Sequence, residues 1–290
     1  MFAVKEILTI PLQNLKLDPP TELNLGDSKI IPWAEAPNDL RGAIFGVTRE
    51  EWPFLLQTPR RDEQPRSTLD RALTVFKLFK DSLVLSVCVF QSARLVDHLP
   101  HYTHWEDKDR GVPLLSLDEY EKPEFARFWR EFIEISPGNF AVYRFHLADY
   151  RPYLRDRFVD YVESLEYLLA PDSGEGEIAY KFRSRGVLTL GFNQTAGKRT
   201  QLYNELRTAY EMRSAIVHGN ANKEEDLRKN RSWEYMVRPV RMHDREAIKF
   251  FFRAGCLYDA DKRREFLNEK LLFCGRERGV TGIADEGARS

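Results

Sequence analysis

The spacing of apolar residues changes at Ser136-Pro-Gly-Asn139, and that change limits the possible folds more than any other feature of the chain. Before it, strand and turn signals dominate. Phe2 to Ile10 is apolar and partly alternating, and Pro19-Pro20, Gly26-Asp27 and Pro32 punctuate the segment that follows. Leu83 to Phe90 is short, Val-rich and uncharged, as a buried strand should be. Two helices interrupt this half. Ser67-Thr-Leu-Asp70 resembles a capping box and opens one through Lys80, with Leu69, Leu73 and Phe76 on its apolar face. Asp118 to Ile135 forms the other, with Phe125, Phe128, Trp129 and Phe132 on one side. After the breaker the period is helical throughout. It predicts helices over 147–170, 177–192, 198–218, 243–257 and 259–273, with a polar linker from Asn220 to Arg231. Short loops between long helices imply antiparallel neighbours. The expected class is α+β: a mixed α/β domain over 1–140, an up-and-down helical bundle over 141–275, and a flexible tail over 276–290 rich in Gly and charge.

Composition narrows the function classes. Apolar residues make up 42% of the chain and charged residues 31%, which fits a packed globular protein and not a disordered one. The net charge is -1, so a nucleic-acid partner has to be held by a local basic patch. No run approaches the roughly 18 apolar residues of a membrane span, and the N-terminus lacks the pattern of a secretory signal. Cys88, Cys256 and Cys274 are odd in number and far apart, so they form neither a disulfide framework nor a zinc motif. A cytoplasmic protein with reduced thiols is expected, without a cofactor. P-loop, dinucleotide-binding and serine-hydrolase signatures are all missing from the sequence.

One stretch carries a chemical signal. Arg213-Ser-Ala-Ile-Val-His218-Gly219 closes the helix that begins near Lys198. It combines a permanent cation with an imidazole that titrates near neutrality, a sufficient set for cleaving RNA without a metal. The histidine takes the proton of a 2′-hydroxyl, and the arginine holds the charge that builds on the phosphate. The spacing alone is unspecific, because Arg238 and His243 repeat it. Pro239 lies inside that second pair and should break its helix. Within an ideal helix, positions 213 and 218 lie roughly 140° apart and about 7.5 Å along the axis. One chain therefore offers a splayed pair, and a twofold dimer would set two such pairs around one groove. The competing structural reading is that both residues cap the helix C-terminus.

The block Arg213-Ser-Ala-Ile-Val-His-Gly219 follows Tyr210 and a helix opening Glu177-Ile-Ala-Tyr-Lys-Phe-Arg-Ser-Arg185. Together these segments resemble the HEPN superfamily, in particular its ApeA-like branch, over about residues 145–273. The resemblance implies a helical bundle that dimerises with its two motifs facing across a cleft. It also implies a metal-independent endoribonuclease of the kind used in phage defence or as a toxin, or else a relative that binds RNA or nucleotide without cleaving it. A regulator or antitoxin partner goes with that setting. The sequence departs from many active relatives at Ser214, where they carry Asn, His or Asp.

A second tier of residues surrounds the motif. Tyr210, Ser214 and Asn220 would line the cleft, or else serve as core aromatic, helix and turn residues. Glu177 would pair with Arg213 or orient His218, or else complement its helix dipole. Lys181 and Arg185, four residues apart, would track an RNA backbone together with Lys198 and Arg199, or form a solvated face. His98, His101 and His104 invite a metal reading, but their spacing matches no zinc helix and Pro100 interrupts it. Trp33, Trp52, Trp105 and Trp129 are core candidates, with base stacking as the alternative.

Overall fold

A computed structural model describes residues 6–36, 53–61, 64–82, 84, 86, 88–91, 94–98, 114–172, 177–229 and 231–276, with side chains through 269. The class is α+β, with an antiparallel sheet in the N-terminal part and a helical C-terminal part. The chain divides into two compact units, Met1–Gly138 and Asn139–Ser290.

The first unit is built on β1 (Ile7–Leu12), which lies between β5 (Phe54–Pro59) and β6 (Cys88–Gln91). β4 (Lys29–Pro32) and β3 (Leu23–Asn24) extend the β5 side, and β7 (Arg94–His98) closes the other. All these pairs are antiparallel, with Ile10 opposite Leu56. β1 is buried at five of its six positions, which explains its near-continuous apolar sequence. Pro11 is tolerated in this central strand because the described β6 partners reach only Leu8 and Thr9. β2 (Leu15–Leu17) pairs in parallel with β8 (Leu115–Leu117). Two helices, α1 (Pro65–Phe79) and α2 (Glu121–Phe132), bury the expected faces, with Phe76 stacked on Phe125 at 5.2 Å and Trp129 fully enclosed. The capping box of α1 is not formed. The helix starts at Pro65, whose fixed φ suits the first helical position, and Asp70 is taken by Arg66 at 2.8 Å.

The second unit holds seven helices among the described residues: α3 (Phe140–Ala148), α4 (Leu154–Leu169), α5 (Ile178–Leu190), α6 (Ala196–Val217), α7 (Ala221–Arg228), α8 (Trp233–Arg253) and α9 (Ala260–Arg276). α4 is central, and its Phe158, Tyr161, Val162, Leu165 and Leu168 are buried among α3, α5, α6 and α8. Three expectations need correction. The helix expected over 147–170 is two helices, because Pro152 interrupts it and Asn139 starts α3 earlier by accepting the Ala141 and Val142 N–H groups. The polar linker contains α7, capped by Asn220. α8 runs straight through Pro239 from a Ser232 cap. Its buried stripe of Met236, Val237, Val240, Ala247, Ile248 and Phe251 outweighs one missing backbone hydrogen bond. No described helix is long and apolar enough to cross a membrane.

Candidate functional site

α6 ends in a Schellman turn. The Asn220 N–H donates to the Ala215 carbonyl and the Gly219 N–H to that of Ile216, with Gly219 at φ 67°. Glycine adopts that angle without steric cost, so Gly219 ends the helix there and leaves His218 as the residue that caps α6. His218 is exposed, and its imidazole makes no hydrogen bond or ion pair with the described residues. Ser214 accepts the His218 N–H on its carbonyl at 3.1 Å and is itself half-buried. The Asn220 side chain accepts from the Lys223 N–H at 3.1 Å, so the turn reading of this residue holds.

Arg213 points elsewhere, into a cleft of about 400 Å³ lined by Phe140, Arg144, Glu163, Glu166, Tyr167 and Arg263, among others. Its contacts there are long: 3.4 Å to Glu163 and 4.0 Å to Glu166, both on α4. Glu163 is shared with Arg144 at 3.0 Å. Burial raises the pKa of Glu166, Arg213 opposes that rise, and Glu163 adds to it. Arg263 is enclosed beside the cleft, with its guanidinium over the Tyr167 ring at 4.5 Å. Arg144 is also held by Asp160 at 2.6 Å and Arg263 by the Leu257 and Cys256 carbonyls, so Arg213 is the cation of the cleft left to meet an oxyanion. Tyr210 lies one turn before Arg213 and packs 5.8 Å from Phe182, where burial raises its pKa.

The structure does not bring Arg213 and His218 into one cavity within a single chain, in keeping with their expected splay. Glu177 does not reach the motif either: it is exposed and pairs with Lys181 at 2.8 Å. The carboxylates beside Arg213 come from the Asp160-x2-Glu163-x2-Glu166 stripe of α4, an i, i+3 pattern visible in the sequence but overlooked there. The expected basic track is dispersed. Arg185 is almost fully buried and is held by Asp172 at 2.5 and 3.1 Å, the Leu169 carbonyl and Asn268, so it cannot contact a backbone phosphate. Lys181 leans on Asp172 and Glu177. Lys198 and Arg199 are exposed near the start of α6.

The second R-x4-H pair sits on the uninterrupted α8, where the His243 Nε2 meets Glu205 at 2.8 Å. Trp33 and Trp129 are buried and offer no stacking surface, while Trp52, Trp105, His101, His104 and the His98 side chain lie outside the described residues. No group of three His, Cys, Asp or Glu able to hold a metal occurs among the described residues. The thiols of Cys88 and Cys256 are free and buried, and burial pushes that of Cys88 up to about 12. No family model matches the chain, and neither does any curated protein or solved structure.

Proposed function

We propose that the protein is a HEPN-type endoribonuclease that acts as a homodimer in the cytoplasm, in phage defence or a toxin-type response. One observation carries the reading. A single helix presents a loosely held arginine to an open cleft and, at its Schellman stop, an exposed imidazole with no partner among the described residues. Both groups are available for chemistry, and a second copy of the chain would supply the pairing that one chain lacks. His218 removes the proton of a 2′-hydroxyl, whose oxygen attacks the adjacent phosphorus. Arg213 neutralises the charge on the non-bridging oxygens as the bond to the 5′-oxygen breaks. The proton that His218 has taken up is returned, directly or through water, to the leaving 5′-oxygen, giving a 2′,3′-cyclic phosphate and a 5′-hydroxyl, and DNA is inert for want of the nucleophile. Residues 1–140 would sense a trigger or select the substrate.

The test is incubation with RNA in chelator. Arg213→Ala and His218→Ala are each expected to lower cleavage by at least about 100-fold. Arg238→Ala and His243→Ala should leave it intact. A strict metal requirement, or full activity in the first two variants, overturns the proposal. A second reading rests on the separation of the two side chains within one protomer: a module that grips phosphate with Arg213 and does not cleave. RNA binding lost in Arg213→Ala, with no cleavage by the wild type, selects it.

A further inference from the structure

A second cleft, of about 540 Å³, opens between α6 and the first half of α8. Its size falls within the roughly 300–1,000 Å³ of small-molecule sites. Its two walls differ in chemistry. α6 contributes Thr200, Asn204 and Thr208, a polar stripe repeating every four residues on one helix face. α8 contributes Met236 and Val240, and α4 contributes Phe158, all three buried apolar side chains. At one side the Arg231 guanidinium lies over the Tyr235 ring, 5.1 Å from its centroid, and more than half of Tyr235 is exposed.

Three of these polar groups, the exposed Asn204 amide and Arg231 guanidinium and the half-buried Thr208 hydroxyl, have no hydrogen-bonding or ion-pair partner among the described residues. The carboxylate on the lining is by contrast occupied, since Glu205 is held by His243 and Gln201, each at 2.8 Å. The uncommitted charge is therefore the positive one of Arg231. Pro239 adds a fourth group. It has no N–H, so the Tyr235 carbonyl lacks its helical donor on the turn that lines the cleft.

We propose that this cleft binds a planar nitrogen heterocycle bearing a phosphate, that is, a nucleotide. The Asn204 amide sets a donor beside an acceptor, the arrangement that reads the edge of adenine, and Thr208 stands one turn further along to extend the contact. Met236, Val240 and Phe158 supply the apolar surface that a ring requires, and Arg231 supplies the planar fork for the phosphate. The site is separate from the Arg213 cleft, and the inference does not depend on the nuclease reading.

Titration calorimetry on the full chain with adenosine monophosphate tests it, with adenosine and a short oligoadenylate as companion probes. Adenosine monophosphate is expected to bind, and Arg231→Ala to reduce its affinity to that of adenosine. Asn204→Ala should weaken both by about tenfold. Gly197→Trp should abolish binding by filling the mouth, because a Cβ at Gly197 meets nothing within 4 Å and the bulk is accommodated. Arg213→Ala should bind as the wild type does, which separates this outcome from the fate of the nuclease proposal. Oligoadenylate binding more tightly than the monomer, and lost in Gly197→Trp, identifies the nucleotide as part of an RNA; equal affinity identifies a free nucleotide. Thermal melts verify that each variant is folded. No binding of adenosine monophosphate at millimolar concentration, or binding that Asn204→Ala and Gly197→Trp leave unchanged, overturns the proposal.

Discussion

Arg185 and Arg213 sit on neighbouring helices of the same unit and both face carboxylates, yet the protein uses them differently. Arg185 is 2% exposed and bonded to two Asp172 oxygens, a carbonyl and an amide. Arg213 keeps 24% of its side chain exposed and touches two glutamates at 3.4 and 4.0 Å. A buried charge must be paired, and an arginine whose two terminal nitrogens are both taken, with its Nε enclosed, has nothing accessible left for a ligand. The loosely held one does. The difference separates a committed cation from an available one more sharply than any motif.

The largest expected effect probes that difference directly. Asp172→Ala leaves the buried Arg185 without its carboxylate and should destabilise the protein by about 3–5 kcal/mol in denaturant unfolding. Arg213→Ala should cost about 1 kcal/mol or less, because its pairs are partly exposed and Glu163 keeps Arg144. Equal losses would mean that Arg213 is as structural as Arg185, and the cleft would lose its claim to function.

A smaller effect separates the two sites by pH. The bond from Arg185 pulls the Asp172 carboxyl down to about 2. Its folded pKa lies below the unfolded value, so its stabilisation is complete above the ordinary aspartate range, near about 4. It is lost as pH falls from there towards 2. The wild type should shed on the order of 1–2 kcal/mol over that interval through this group. Asp172→Asn should be less stable at neutral pH and show a flatter acid limb. An unchanged limb would mean that the pair contributes nothing to folding.

The sequence showed the helices well wherever apolar spacing set them, and poorly where a proline decided. Pro152 and Pro239 are the same residue type in similar helical patterns, yet the first ends α3 and α4 apart while the second lies within α8. The buried stripe on both sides of Pro239 decides this, and local propensity does not contain it. The stop at Gly219 was legible because a Schellman turn demands a residue at positive φ there. The partners of Arg213 were not. Glu163 and Glu166 lie far away in sequence, and only the packing of α4 against α6 selects them over Glu177, which its own helix supplies with Lys181. The two R-x4-H segments also cannot be ranked by the helix break expected at Pro239, since both are helical. They differ in that Glu205 occupies His243, whereas His218 stands free of the described residues.

The smallest effect sharpens the comparison from the Arg213 side. Burial raises the pKa of Glu166, so falling pH neutralises it before an ordinary glutamate and loosens its hold on Arg213. An anion that does not itself titrate, such as sulfate, should then bind the cleft more tightly as pH falls from neutrality towards the glutamate range, by about two- to threefold for one weak ion pair. Arg144, Arg213 and Arg263 stay charged throughout, and a His218→Ala background removes the imidazole of the same helix. Glu166→Gln in that background should bind sulfate with the low-pH affinity at every pH. Arg185 offers no such response, because Asp172 remains ionised across the same interval. A Glu166→Gln variant that kept the wild-type pH profile would mean that Glu166 does not restrain Arg213. The long contacts in the cleft would then reflect an arginine already free to meet its ligand.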